Sequence, residues 1–115
     1  MKILNTTKAT LIAEDVIVAK TFFARLMGLL NRGSLKEREA LVVTSCNCIH
    51  MFFMRFSIDA IFVSSKNHVV GLVEHLKPFH LSPIFWQASF TIELPAGRIK
   101  TSKTAIGDLI ALEDR

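Results

Sequence analysis

Proline and glycine are scarce, three and five in 115 residues. With half the residues hydrophobic and 21% charged, that scarcity sets aside collagen-like and disordered classes. Clean apolar runs are also missing. The longest apolar region, Leu41 to Val63, is interrupted by His50, Arg55 and Asp59. Each of the two charges would cost about 2.5–3.5 kcal/mol in lipid, so the region reads as core and no membrane partner is expected. Met1-Lys2-Ile3-Leu4-Asn5 runs straight into Thr6, Thr7 and Lys8 without an apolar h-region or a small-residue cleavage site, which makes the cytoplasm the expected location. Cysteine is limited to Cys46 and Cys48. On an extended chain these point the same way about 6.6 Å apart, awkward geometry for a mutual bridge, in keeping with a reducing compartment. Internal repeats, low-complexity tracts and linkers are absent, so residues 1–115 read as a single domain with one core.

Nor is there a strong charge of one sign. Fourteen Lys and Arg against ten Asp and Glu leave +4, enough for solubility. The basic residues are scattered, and the one local run, Arg98, Lys100 and Lys103, has no interleaved aromatic rings on which bases could stack. No nucleic-acid partner is expected.

What is present is a series of short β-favouring runs. Lys8 to Ala13 and Val16 to Ala19 flank Glu14-Asp15, which predicts an N-terminal hairpin. From Thr21 the period changes: Phe22, Phe23, Leu26, Met27, Leu29 and Leu30 form one stripe of a helix ending near Gly33. That stripe suits packing on the chain's own sheet, or a membrane surface or partner. After the charged connection Lys36-Glu37-Arg38-Glu39 come Leu41 to Thr44, Ile49 to Met54 and Ile58 to Val63, apolar on both faces as central strands are. Ser64 to Asn67 reads as a hairpin turn into a strand His68 to Glu74. Between Pro78 and Pro83, Lys77 to Trp86 has no regular period but carries Phe79, Phe85 and Trp86, a loop folded over a barrel mouth or sheet edge. Ser89 to Leu94 is a strand stopped by Pro95, Ala96-Gly97 a turn, Arg98 to Thr104 a helical turn, and Asp108 to Leu112 a last strand. The predicted class is α+β and β-dominated: a small barrel-like or strongly curled, mostly antiparallel sheet with one or two short helices.

The string Ile49 to Val63, with Arg25-Leu-Met-Gly28-Leu29-Leu30 upstream and Glu93-Leu-Pro-Ala-Gly97 and Gly107-Asp108 downstream, resembles the signature of the family named domain of unknown function 192. The likeness runs in order from about Ala19 to Leu112. It departs at Ser57, where that family more often has Pro, and at Phe79, where Trp is frequent. The resemblance implies a compact, barrel-like, β-rich domain and no established activity.

Three groups of residues suggest chemistry. Cys46-x-Cys48-x-His50 puts two sulfurs and an imidazole on one face of an extended chain, a donor set for zinc or cuprous copper, with Met51 or Met54 as a soft addition. Three such positions span about 13 Å, so one ion needs a bend, and buried apolar cysteines are the preferred reading of the same pattern. A cysteine nucleophile with His50 or His80 as base would need a lowered thiol pKa. No cofactor is otherwise indicated. Asp59 and Glu93 sit among apolar neighbours, as an acid/base pair of a small hydrolase or lyase would, or as outward-pointing or backbone-bonded carboxylates. Arg25 and Arg55 are forks for those acids or for an anionic ligand. A site of Arg25, His50, Arg55, Asp59 and Glu93, beside Phe79 and Trp86, reads as a binding module for a small anionic molecule or an extended peptide, on a monomer or weak homodimer.

Overall fold

The structure, a computed structural model, describes residues 1–20, 34–49, 51 and 55–114. Three runs become the centre of the fold: two are apolar on both faces, and the third alternates Phe90, Ile92 and Leu94 with Ser89, Thr91 and Glu93. They are β4 (Glu39–Thr44), β5 (Ile58–Ser64) and β7 (Ala88–Pro95). With β3 (Asp15–Ala19) and β6 (Val69–Leu76) they form a five-stranded sheet in the order β3-β4-β7-β5-β6. Its pairings are antiparallel except for the parallel β3–β4. A three-stranded sheet is built from β1 (Lys2–Asn5), β2 (Thr10–Ala13) and β8 (Ile110–Glu113) in the order β2-β1-β8. One short helix, α1 (Arg98–Thr101), follows the turn after β7.

The larger sheet is covered on both faces. One face presents Val42, Ile61, Val63, Ile92 and Leu94 to Ile3, Ile12, Ala13 and Ile110 of the smaller sheet and to Ile99 of α1. The other presents Leu41, Val43, Ala60 and Phe62 to Leu35, Ile49, Met51 and Phe85. Each such large side chain withdrawn from water contributes about 1.5–3 kcal/mol, which makes this double burial the main stabilising term. Arg98 ties the layers at one end: its guanidinium donates to the carbonyls of Leu11 and Ile12 at 2.7 and 3.0 Å.

The β-dominated, mostly antiparallel class is as expected. The described strands form two packed sheets, however, and not one closed barrel. The predicted N-terminal hairpin is also corrected: β2 pairs with β1, and β3 pairs in parallel with β4. Glu14 is the step where the chain leaves one sheet for the other, so the acidic pair marks a change of layer and not a reversal. β1, which the sequence reading left unassigned, supplies the missing partner. The predicted strand Ile49 to Met54 is not one at Ile49 or Met51. The predicted helix Thr21 to Leu30, like His50 and Met54, lies outside the described residues.

Candidate functional site

Asp59 lies in β5 opposite Leu94 of β7 and is fully buried. Its Oδ1 accepts the amide of His75 at 2.9 Å, and its Oδ2 accepts those of Gly97 and Ile99 at 3.0 and 2.9 Å. His75 has φ 52° within an irregularity of the β5–β6 ladder, so its N–H is turned out of the regular pairing. Gly97 opens α1 with φ 97° and has no side-chain cap of its own. One carboxylate therefore satisfies a bulge and a helix start, the backbone-bonding role that sequence left open.

Glu93 is equally buried but lies opposite Leu41 and Ala60. Because successive residues of a strand face opposite ways, Asp59, opposite Leu94, and Glu93, opposite Ala60, point to different faces of the sheet. The structure does not bring them together as two groups flanking one scissile bond. Arg55 is exposed, and Arg25 and His50 lie outside the described residues. The proposed five-residue polar cluster is thus not assembled by its described members.

Cys46 is half-buried and Cys48 exposed, both as free thiols, with the Cys46 thiol donating to the Cys48 carbonyl at 3.0 Å. Burial pushes the Cys46 pKa up, against hydrogen bonds to Thr91 and to the Cys48 backbone, and the nearby charge of Glu93 adds to the rise. That is the wrong direction for a nucleophilic thiolate. Among the described residues no three His, Cys, Asp or Glu side chains group as metal ligands.

The most distinctive surface is formed by two irregular segments that hold each other through their backbones. Phe79 N–H donates to Met51 O at 2.7 Å, Met51 N–H to His80 O at 3.0 Å, Ser82 N–H to Ile49 O at 2.8 Å and Phe85 N–H to Asn47 O at 2.8 Å. The Ser82 hydroxyl also accepts from Ile49 N–H at 2.8 Å. This ribbon sorts its side chains. Ile49, Met51 and Phe85 turn inward, and the Phe85 ring stacks on Phe62 at 4.4 Å over Gly71, where any Cβ would run into it. Phe79, Leu81, Ile84 and Trp86 turn outward, with Phe79 and Trp86 at 73% and 80% exposure. The sequence reading grouped Phe85 with Phe79 and Trp86; the structure separates it into the core. It also passed over Leu81 and Ile84, which their alternation with Ser82 and Phe85 could have indicated. An open depression lies between Val70, Phe85, Trp86 and Gln87.

A second buried polar group centres on Asp108. Asn5, buried in β1, donates to Asp108 at 2.8 Å and to Thr104 at 3.2 Å, and Lys8 bonds both oxygens of Asp108 at 3.0 and 2.8 Å. Burial alone would raise the Asp108 pKa, but the bonds from Asn5, Lys8 and the Ala105 amide outweigh it and hold the carboxyl below its ordinary value. Its polar atoms are satisfied internally, and it reads as a clasp between the chain's two ends. The Gly107-Asp108 pair was its only sequence signal.

A family model described as DUF192, Uncharacterized ACR, matches residues 3–112. A UPF0127 protein of Thermococcus sibiricus is 35% identical over 115 residues, covering 96% of this chain and 74% of the relative. A UPF0127 protein of Pyrococcus horikoshii is 37% identical over 114 residues, covering 94% and 96%. A crystal structure of a protein of unknown function from Novosphingobium aromaticivorans superposes with a TM-score of 0.80 over 96% of this chain and 82% of that one. At 17% identity this likeness concerns the fold alone.

Proposed function

Because the chain belongs to the DUF192 family, whose description assigns no activity, its function is read from its own surface, and we propose that it is a binding module for an extended peptide. The observation that carries this reading is the ribbon of residues 79–86. Four large apolar side chains stand in water on a backbone anchored to residues 47–51. Exposed apolar clusters of this kind, rimmed by polar groups, mark surfaces that a partner covers. The depression beside Trp86 is open, which suits a segment lying across it better than an enclosed small molecule.

Charge selects the partner further. No Asp or Glu occurs in residues 40–58 or 75–92, whereas Arg55 and Lys77 do. A peptide with apolar anchors and carboxylates matches that field. The reading keeps the small anionic ligand as the competing arm and assigns no catalytic role to Asp59 or Glu93. A reducing, cytoplasmic setting suits the two free thiols.

Trp86 is the sole tryptophan, so its emission reports the site directly. Titration with pools of acidic, aromatic-anchored peptides is expected to shift Trp86 emission to the blue and shield it from acrylamide. Lys77→Glu and Phe79→Ala are expected to weaken the response. A spectrum unchanged by every pool, or a response only to small anions, would overturn the proposal.

A further inference from the structure

Among the described residues, no strand pairs with the outer edge of β3, and that edge carries a pattern that the ribbon does not use. β3 and β6 are the terminal strands of the five-stranded sheet, and they differ in how they end it. β6 is interrupted twice in its register with β5, between the partners of Ile58 and Ala60 and between those of Phe62 and Val63. Such irregularities twist an edge and discourage further pairing. β3 is regular: its five residues run in unbroken parallel register with β4. Ile17 and Val18 are 49% and 44% exposed on it. A regular, exposed apolar edge is a template for another strand.

The backbone decides which strand fits. The Arg38 carbonyl accepts the amides of Glu14 at 2.9 Å and of Asp15 at 3.1 Å, and the Asp15 bond, made to the residue before its ladder partner Glu39, is the one that opens the parallel pairing. Alternate residues of a strand turn their backbone groups to opposite sides, so Asp15, Ile17 and Ala19 face β4. The N–H and C=O groups of Val16 and Val18 then face outward. That spacing is self-complementary. Around a two-fold axis at Ile17, Val16 of one copy opposes Val18 of the other and the two exchange both hydrogen bonds. The reciprocal pair does the same, four bonds in all. Ile17 meets Ile17 at the close, non-hydrogen-bonded position. The same register sets Glu14, whose Oε2 Arg38 already meets at 3.1 Å, opposite the partner copy's Lys20, so opposite charges meet at both ends.

We propose that two copies of the chain associate by antiparallel pairing of β3 about Ile17, joining their five-stranded sheets into one continuous ten-stranded sheet. The interface is isologous, as a two-fold dimer requires. A single strand pair is small, so the association belongs to the weak, reversible class.

Sedimentation equilibrium from about 10 μM to about 1 mM tests this, because that range spans the weak end of specific association. A monomer–dimer equilibrium is expected. Ile17→Lys, which sets two ammonium groups on the axis, is expected to abolish it, and Lys20→Glu to weaken it at least about tenfold by facing Glu14 with a like charge. Register is tested in a Cys46→Ser, Cys48→Ser background. Ile17→Cys is expected to give a disulfide-linked dimer, since facing Cα atoms at such a position lie about 4.5 Å apart, within bridging range. Val18→Cys, opposed by Val16, is expected not to. Circular dichroism confirms folding of each variant; should Ile17→Lys not fold, Lys20→Glu and the cysteine pair decide. A monomer throughout the range, a dimer indifferent to Lys20→Glu, or cross-linking through Val18→Cys in place of Ile17→Cys would overturn the proposal.

Discussion

A carboxylate with no access to water is stable only where donors replace its hydration, and Asp59 has three amide donors. Asp59→Ala leaves all three N–H groups buried or half-buried without an acceptor. At roughly 1–3 kcal/mol for each unmet group, partly relieved by relaxation, the expected loss is about 3–5 kcal/mol in urea unfolding. A loss under about 1 kcal/mol would contradict the bulge-and-helix role. Asp108 gives a pH-dependent counterpart. Its folded pKa lies below the ordinary value of 3.8, so its contribution is fully present above that value and is lost as pH falls through the depressed folded one. The stability difference between the native chain and Asp108→Asn is therefore expected to hold steady from about pH 7 to about pH 5 and to shrink below about pH 4. Unfolding measured across that series checks it. Alternation along β5 and β7 already implied that Asp59 and Glu93 need not face each other. Which face each takes depends on the register between two strands some 30 residues apart, and no local signal carries that.

At the scale of elements, β4 and β5 were legible because burial on both faces demands continuous apolar residues, and β7 because Pro95 ends its β-favouring run. The turn 64–67 was legible too: Asn67 takes φ 68°, a conformation asparagine tolerates better than most. The first strands were misassigned for a physical reason. β2 and β3 each have strand composition and a polar step between them, but pairing is decided by which edge lies within reach, and β1 and β4 took those edges. Gly71 shows how an element can hinge on a missing atom. Its bare Cα lets Phe85 lie across β6 and reach Phe62, so Gly71→Ala is expected to cost about 1–3 kcal/mol by displacing the ring. Because Trp86 follows Phe85 directly, the same variant is expected to alter Trp86 emission in the folded state. An unchanged spectrum with unchanged stability would contradict the packing described.

For the whole molecule, the distribution of apolar surface separates what stabilises the fold from what serves a partner. The two faces of the five-stranded sheet are buried, while Phe79, Leu81, Ile84 and Trp86 remain outside both clusters. Trp86→Ala is therefore expected to change unfolding free energy by no more than about 0.5 kcal/mol, as exposed substitutions do, while abolishing the peptide response. Loss of stability together with binding would place Trp86 in the core and not in a recognition surface. No helix among the described residues is long and apolar enough to cross a membrane, which agrees with the interruption of Leu41 to Val63 by His50, Arg55 and Asp59.

The linear chain by itself determined the β-dominated class, most strand positions after residue 39 and the family to which it belongs, because these rest on composition, short-range period and ordered motifs. Only the tertiary structure decided that the strands split into two sheets. It also set Asp59 and Glu93 on opposite faces, Phe85 inside with Trp86 outside, and Asn5 against Asp108. Each of those outcomes depends on contacts between residues distant in sequence, whose pairing is selected by the joint burial of all the strands and not by the preference of any one of them.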